Sequence, residues 1–377
     1  MNNNKQSPVY KVLLIAAAVS GVTALVGWLF EVQPIIGPAL FLFFLLLALG
    51  VRGYDFFKSF SYTIMIFAAV TVSMFYPSYF REIGGYDLSN LIVPLLQIIM
   101  FGMGTAMSFK DFAGVIKMPK GVLVGVLCQF TIMPVIGFTI AEMFGFPPEI
   151  AAGVILVGSS PSGLASNVMS FIAKANLALS VTLTAVATLL SPLITPVLMK
   201  YLAGTRVDID VIGMMWSIVK IVIIPIAAGL IFNRLFHGKA KWLDAAMPVV
   251  SMAGIGIIIT IITAAGRDSL LTIGFALILA SLIHNLSGYF LGYWFCRLIG
   301  MDERSCRTIS LEVGMQNGGL ASGIAKEMGR LATVGLAPAV FGPMMNITGS
   351  SLATYWRGKP ADKGIDEKEE IKKEIPS

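Results

Sequence analysis

Glu312 lies deep in an apolar stretch of the chain, within the segment SLEVGMQNGGLASGIAKEM (310–328). A carboxylate at the centre of a bilayer costs at least about 2.5–3.5 kcal/mol unless it is paired, so such residues usually serve a function. Three roles fit Glu312: ligand for a cation, carrier of protons, or ion-pair partner of Lys220. Because a lysine can extend its ammonium group to the membrane surface, the sequence favours a Glu312 that is free to hold a cation.

Side chains that carry oxygen recur in the polar segments near Glu312. Sodium is a hard ion that prefers about five or six oxygen ligands from carboxylates, amides, hydroxyls and carbonyls. Serine and threonine in membrane helices more often bond their own backbone than an ion, so only their convergence favours a site. The candidate ligands beside Glu312 are Ser166, Asn167, Ser180, Thr184 and Gln316.

Other polar residues interrupt apolar segments, but none indicates catalysis. Gln129 lies in LCQFTIMP, and His284 and Asn285 lie in LIHNLSGY; a lone buried histidine is usually a satisfied donor between helices. The sequence has no phosphate-binding loop and no Ser-His-Asp set, and its three cysteines lack metal-ligand spacing. We therefore expect neither an enzyme nor a bound cofactor, and energy that comes from an ion gradient.

Two spans are predicted to break in mid-membrane. In GVILVGSSPSGLASNVMSFIAK (153–174), Pro161 removes a backbone donor between glycines, and Gly314, Gly318 and Gly319 loosen the second span. Backbone groups freed in this way are tolerated in a membrane where they line a cavity or hold an ion. The alternative is a pair of packing kinks.

An internal repeat links the two breaks. The motif GLAS at 163–166 recurs at 319–322, an offset that also takes Gln129 onto Asn285. Each motif lies in the fourth span of a set of five, and an odd number of crossings requires that the second copy be inverted. Inverted repeats with paired broken helices are typical of secondary transporters.

The elements that would position these residues are membrane helices. Of 377 residues, 56% are hydrophobic and 13% charged, with a mean hydropathy of +0.82. Recurrent apolar runs of about 20 residues can cross a bilayer as helices. The predicted spans are 12–30, 34–50, 59–76, 88–108, 120–142, 149–173, 178–203, 211–232, 246–265, 270–297, 306–326 and 332–356.

Positive charge between the spans predicts the orientation. Fourteen Lys and Arg residues, with Arg307 among them, fall in one set of alternate connections and six in the other. The positive-inside rule then places both termini in the cytoplasm of a multi-pass protein, for which we expect the bacterial inner membrane. The net charge of +6 is explained by orientation and anionic-lipid contact, so no nucleic-acid partner is expected.

Four segments follow from this pattern. Residues 1–58 hold two additional helices, 59–203 form a first repeat, 204–357 form a second inverted repeat, and 358–377 are a charged tail expected to be disordered in the cytosol.

The chain resembles the bile acid:sodium symporter family over roughly residues 59–357. The resemblance rests on GVILVGSSPSGLASNVMSFIAKANLALSVTLTAVATLLSPLITP, SIVKIVIIPIAAGLI, LEVGMQNGGLASGIA and NITGSSLATYW. It implies an all-α membrane protein with a ten-helix core of two inverted five-helix repeats. A panel domain would carry the first two helices of each repeat, and a core domain would carry two crossing discontinuous helices. The two helices before residue 59 are additional to that layout.

The resemblance also implies two sodium sites and a substrate cleft between panel and core. The first sodium site would comprise Ser166, Asn167, Ser180, Thr184 and Glu312. The second would comprise Gln129, Glu312 and Gln316 with the carbonyls of Val313 and Met315. The residues expected to bind substrate are Asn317, Pro161, Asn346 and Met345.

The expected function is therefore sodium-coupled symport of a small organic anion by alternating access. The chain departs from common family patterns at Ser159, Ser160, 162–164 and Met345, so a bile-acid-like molecule and a smaller carboxylate both remain open. The main alternative is a proton-coupled anion transporter with Glu312 as the proton carrier. An arsenite-efflux relative and a membrane receptor without transport are further alternatives.

Overall fold

The computed structural model describes residues 8–54, 57–108, 111, 114–236 and 241–361. This part of the chain is almost wholly helical. Its first half contains α1 (Pro8–Leu29), α2 (Gln33–Gly50), α3 (Ser61–Phe75), α4 (Ser78–Arg81), α5 (Ile92–Ala106), α6 (Gly114–Lys117), α7 (Pro119–Met143), α8 (Pro148–Ser159), α9 (Ala165–Ile172) and α10 (Leu177–Ala203). A two-stranded hairpin pairs β1 (Glu82–Ile83) with β2 (Tyr86–Asp87).

The second half contains α11 (Val211–Ile218), α12 (Ile224–Phe236), α13 (Lys241–Ala265), α14 (Arg267–Leu298), α15 (Glu303–Gly314), α16 (Gly318–Glu327) and α17 (Leu336–Arg357). A π-helical turn, Val219–Ile223, joins α11 to α12. Gln97 on α5 donates its amide to the Lys220 carbonyl in this turn, at 3.3 Å. Short 3₁₀ turns occur at Val51–Gly53, Lys58–Phe60 and Leu88–Leu91.

The protein is an integral membrane protein of the all-α, polytopic class. Within the described residues, nine helices are long and apolar enough to cross a bilayer, and nine of the predicted spans coincide with them. Two more predicted spans are each formed by two shorter helices, α8 with α9 and α15 with α16, and the last is α17. Breaks were predicted in both of the divided spans, and both breaks are confirmed.

The divided helices lie at the centre of the bundle. Every residue from Ile150 to Ser159 of α8 is buried, as is every residue from Ser305 to Gly314 of α15. Helices α7, α10, α14 and α17 pack around them. A lipid-facing helix exposes one apolar side, so this complete burial identifies α8 and α15 as the innermost helices.

On one side of this centre, α5 and α12 are in very close contact. A Cβ atom on Gly104 would lie 2.2 Å from the Ile226 carbonyl oxygen, and one on Gly229 would lie 2.2 Å from that of Phe101. Glycine is required at both positions because any side chain would meet backbone. Helices α3, α5, α12 and α13 form this neighbouring group, to which α2 attaches through α3.

Arg307 was assigned to a connection between spans, and this assignment is wrong. It lies inside α15 with 2% exposure, where its guanidinium donates to Glu303 at 2.8 Å and to the carbonyls of Trp356, Lys359 and Pro360. The first residues of the predicted tail are therefore tied to α15. The rest of that tail lies outside the described residues.

Candidate functional site

The two breaks meet each other at the centre of the bundle. Ser162 and Gln316 form an isolated antiparallel bridge. The Gly163 amide donates to the Met315 carbonyl at 3.0 Å, and the Asn317 amide donates to the Pro161 carbonyl at 2.8 Å. Backbone groups that the interrupted helices leave without intrahelical partners are thus satisfied by the opposite break. Pro161 is buried, and its carbonyl serves in this bridge.

The carboxylate of Glu312 lies beside this crossing and collects four hydroxyl groups. Its Oε1 accepts from Ser166 at 2.6 Å and Ser180 at 2.5 Å, and its Oε2 accepts from Ser162 at 2.6 Å and Thr184 at 2.9 Å. Glu312 is 2% exposed. A carboxylate has about four lone-pair sites, so all of them are engaged. Within the described chain, no basic side chain pairs with Glu312, and Lys220 is exposed elsewhere.

Asn167 brings a further oxygen to the cluster. Its Oδ1 lies 2.8 Å from the Ser180 hydroxyl and 3.2 Å from that of Thr184, and the Gly163 carbonyl lies 2.7 Å from the Ser166 hydroxyl. The four hydroxyls therefore make seven contacts of hydrogen-bond length to acceptor oxygens, although each has one proton to donate. The cluster is rich in oxygen and poor in protons, which is the donor set that a hard cation requires.

A second group of oxygens is centred on Gln129 and Gln316. The Gln129 amide nitrogen donates to the Ser160 carbonyl at 2.9 Å and to the Gln316 side-chain oxygen at 2.8 Å. Gln316 donates in turn to the Val313 carbonyl at 2.5 Å. The Gln129 Oε1 atom is buried and has no hydrogen-bond partner among the described residues. Such an atom is expensive to leave unsatisfied, so it marks a place for a ligand.

Gln129 and Asn285, which correspond in the internal repeat, make equivalent hydrogen bonds to the ends of the two broken helices. Gln129 on α7 donates to the Ser160 carbonyl at the end of α8, and Asn285 on α14 donates to the Gly314 carbonyl at the end of α15, at 2.8 Å. His284 lies 3.0 Å from the Met133 carbonyl and contacts Phe341 edge-on. His284 is therefore a histidine satisfied between helices.

An apolar cavity of about 160 Å³ adjoins the crossing. Its lining contains Gln316 and three of the residues that we expect to bind substrate, Asn317, Met345 and Asn346, but not Pro161. Its opposite wall comes from α3, α5 and α13. No residue that the structure places in this lining carries a charge. Both α9 and α16 begin at the cavity. Because the N-terminus is the positive end of a helix dipole, both helices place positive potential there.

Helices α9 and α16, the second halves of the two divided helices, differ in their contacts with the surrounding helices. At the end of α16, Lys326 donates to Ser89 at 2.6 Å and to Asn90 at 3.2 Å, and Ser217 of α11 donates to Glu327 at 3.2 Å. On α9, by contrast, Val168 and Phe171 are 56% and 70% exposed. We call the end held by the contacts of Lys326 and Glu327 the closed end of the interface, and the end at which α9 exposes Val168 and Phe171 the open end.

Ser162 is the cluster residue that sequence reasoning missed. It is one of the positions at which the chain departs from common family patterns, and its 2.6 Å contact with Glu312 gives it a place among the candidate ligands. Its position between Pro161 and the GLAS motif was the available signal.

The fold and the site define a polytopic helical membrane protein whose two broken helices cross at a buried carboxylate. A family profile, the Sodium Bile acid symporter family, matches residues 93–273. The chain is 39% identical over 303 residues to the Uncharacterized sodium-dependent transporter YocS of Bacillus subtilis (strain 168), covering 80% of this chain and 92% of the relative. The chain belongs to the sodium bile acid symporter family.

Plant proteins are similar over most of the same region. The chain is 35% identical over 268 residues to the Probable sodium/metabolite cotransporter BASS1, chloroplastic, of Arabidopsis thaliana, covering 71% of this chain and 67% of the relative. It is also 35% identical over 280 residues to the protein of the same name from Oryza sativa subsp. japonica, covering 72% and 69%.

Proposed function

We propose that this protein is a sodium-coupled symporter of a small organic anion that works by alternating access. The observation that carries the proposal is the cluster of Glu312 with four hydroxyls at the crossing of two broken helices, next to an apolar cavity. The printed names of the relatives, a sodium-dependent transporter and sodium/metabolite cotransporters, support the same coupling ion. They equally favour a transporter over an enzyme.

The first sodium ion would bind at the Glu312 cluster. A cation among these oxygens would be coordinated by lone pairs of the hydroxyls and of the acceptor oxygens. The close oxygen–oxygen contacts that lack a proton would then be bridged by the cation. Ser166, Ser180 and Thr184 come from two different helices of the first half, and Glu312 comes from the second half. Sodium would therefore hold the two halves of the crossing together.

The second sodium ion would bind at Gln129, Glu312 and Gln316, with the backbone oxygens of Val313 and Met315. The buried Oε1 of Gln129, which lacks a described partner, supports this site. Each sodium ion that enters down about 100 mV and a tenfold gradient releases about 2.3 plus 1.4 kcal/mol. Two ions supply about 7 kcal/mol, which is enough to concentrate a monovalent anion.

The anion would bind in the apolar cavity. Since its described lining has no basic residue, positive potential must come from elsewhere. The N-termini of α9 and α16, which begin at the cavity, and the bound sodium ions supply it. This makes anion binding depend on sodium. Asn317 and Asn346 would orient the polar group, while Met345 and the other apolar side chains would contact the body of the substrate.

Alternating access would exchange the closed and open ends of the interface. The helices of the core domain, which carry the crossing, would move against the panel of α3, α5, α12 and α13 with its extension α11. The contacts of Lys326 and Glu327 would close one entrance while α9 leaves the other open. The equivalent roles of Gln129 and Asn285 support two inverted repeats, 59–203 and 204–357. Both termini would be cytoplasmic in the bacterial inner membrane.

Uptake into proteoliposomes tests this function. A panel of labelled carboxylates, from pyruvate-sized acids to a bile acid, is offered with an inward gradient of sodium, potassium or protons. The proposal requires accumulation of at least one anion with sodium alone, and loss of that accumulation in Glu312→Gln. Accumulation driven by a proton gradient without sodium would instead identify Glu312 as a proton carrier.

A further inference from the structure

The two additional helices, α1 and α2, leave a wide apolar space beside the rest of the bundle. They form a hairpin that attaches to α3 at both ends: Gly37 faces the Phe75 ring, and the Ser61 hydroxyl donates to the Ala48 carbonyl at 2.7 Å. Between this hairpin and α17 lies a cavity of about 740 Å³. We call it the hairpin groove.

The lining of the hairpin groove is almost wholly hydrocarbon. Leu14 and Leu47 come from the hairpin, Ile64 from α3, and Ile347 and Ser351 from α17. The Ser351 hydroxyl is already bonded to the Ile347 carbonyl at 2.8 Å. The spans that contain α1, α2 and α3 are long and apolar enough to cross a membrane, and apolar surface is transferred favourably from water to hydrocarbon. An acyl chain therefore fits the groove better than water does.

One end of the hairpin groove has the character of a membrane surface. Tyr54, Phe57 and Phe60 line the groove there, in the segment between α2 and α3. Aromatic side chains of this kind concentrate at the level of lipid headgroups. Arg52 and Lys58 lie in the same segment, where the Arg52 Nε donates to Ser61 at 2.9 Å. Asp55, also in this segment, lies outside the described residues.

We propose that the hairpin groove binds an anionic phospholipid, with an acyl chain against Leu47 and Ile347 and the phosphate near Arg52 and Lys58. Basic residues at the cytoplasmic surface attract anionic headgroups, and this end of the hairpin is cytoplasmic in the topology proposed above. The site is independent of the sodium cluster. It gives the additional helices a role: they form one wall of a lipid site whose other wall, α17, also contributes Met345 and Asn346 to the substrate cavity.

The test uses full-length protein that has been delipidated in detergent and then given dioleoyl phosphatidylglycerol or dioleoyl phosphatidylcholine. Retained lipid is counted by native mass spectrometry, and the lipid dependence of the thermal midpoint is followed. Leu47→Trp fills the hairpin groove, whereas Val22→Trp changes a side chain on α1 that is 60% exposed and outside it. Size-exclusion profiles confirm that each variant is folded, whatever its response to sodium.

We expect wild type and Val22→Trp to retain phosphatidylglycerol in preference to phosphatidylcholine, and Leu47→Trp to lose the retained lipid. Arg52→Gln with Lys58→Gln should weaken phosphatidylglycerol binding about fivefold per charge, while Lys117→Gln, at another basic surface position, should not. Equal retention by Leu47→Trp and wild type, equal loss in Val22→Trp, or no preference between the headgroups would overturn the proposal. Displacement of the lipid by the transported anion would identify the groove as a substrate path and also overturn it.

Discussion

The Oγ atom of Ser162 lies 2.6 Å from Oε2 of Glu312, although the two residues are 150 positions apart. This contact joins the first break directly to the second half of the chain. Ser162 is one of four hydroxyl residues around the carboxylate, and it is the one that lies within the break itself. We therefore assign it a part in orienting Glu312 for the cation.

Ser162→Ala should weaken sodium binding by about tenfold or more. A hydrogen bond to a charged group contributes about 1.5–3 kcal/mol, and the substitution also removes an oxygen next to the proposed ion. Sodium titration of the thermal midpoint measures the change. Ser191→Ala is the matched control, because Ser191 is equally buried but donates to the Thr188 carbonyl at 2.8 Å. Equal sodium affinity in the two variants would contradict the assignment.

The sequence predicted much of this site, and the reasons for its gaps are physical. Glu312 stood out because charge is rare in membrane spans, and Pro161 with its flanking glycines predicted the first break correctly. Proline alone would not have sufficed, since Pro134 and Pro192 lie inside the continuous helices α7 and α10. A membrane helix can continue through a proline where neighbouring helices satisfy the backbone groups that the proline leaves without partners.

Contacts between distant segments were beyond the sequence. The residue pattern does not predict the hydrogen bond between Ser162 and Glu312. Nor does it predict that Gln129 Oε1 lacks a described partner. Both features depend on how the two breaks meet. Arg307 was misjudged for the same reason. A basic residue near a span end resembles a loop residue, and its carbonyl partners, at and just after the end of α17, lie 49, 52 and 53 residues further along the chain.

Gln129→Leu should reduce the number of coupled sodium ions. The substitution keeps approximate volume but removes the amide that reaches Ser160 and Gln316 and the buried oxygen assigned to the second ion. We expect the sodium dependence of uptake to change from sigmoidal to nearly hyperbolic. Gln97→Leu is the control, because Gln97 lies on α5 and its amide donates to the Lys220 carbonyl rather than to either break. An unchanged Hill coefficient in Gln129→Leu would remove this residue from the ion site.

A cross-link at the closed end of the interface should stop transport. In a variant whose three native cysteines are replaced, Ser217→Cys with Glu327→Cys would be joined by a short bifunctional thiol reagent, since the native side chains lie 3.2 Å apart. Joining them should abolish uptake, and reduction should restore it. Glu149→Cys with Thr333→Cys links two elements assigned to the same domain and should leave uptake unchanged. Undiminished uptake in the first cross-linked pair would contradict the proposed movement.

Gly229→Ala should destabilise the protein by about 1–3 kcal/mol through overpacking of α5 against α12. The new Cβ atom would lie 2.2 Å from the Phe101 carbonyl oxygen and 2.8 Å from the Thr105 amide nitrogen, and backbone cannot move aside cheaply. Gly256→Ala is the control, because nothing lies within 4 Å of its Cβ position and alanine favours a helix. A thermal midpoint lowered in both variants alike, or in neither, would contradict this account of the close packing.

Sodium binding at Glu312 is tested by the thermal midpoint of the purified protein in sodium chloride compared with potassium and choline chloride, for wild type and Glu312→Gln. A ligand that binds the folded state alone stabilises it by RT ln(1 + [L]/Kd), about 2.7 kcal/mol at a hundredfold excess over Kd. We expect sodium alone to raise the midpoint of wild type and Glu312→Gln to abolish the increase. Equal midpoints in all three salts, or a sodium response that survives in Glu312→Gln, would contradict a sodium site at this carboxylate.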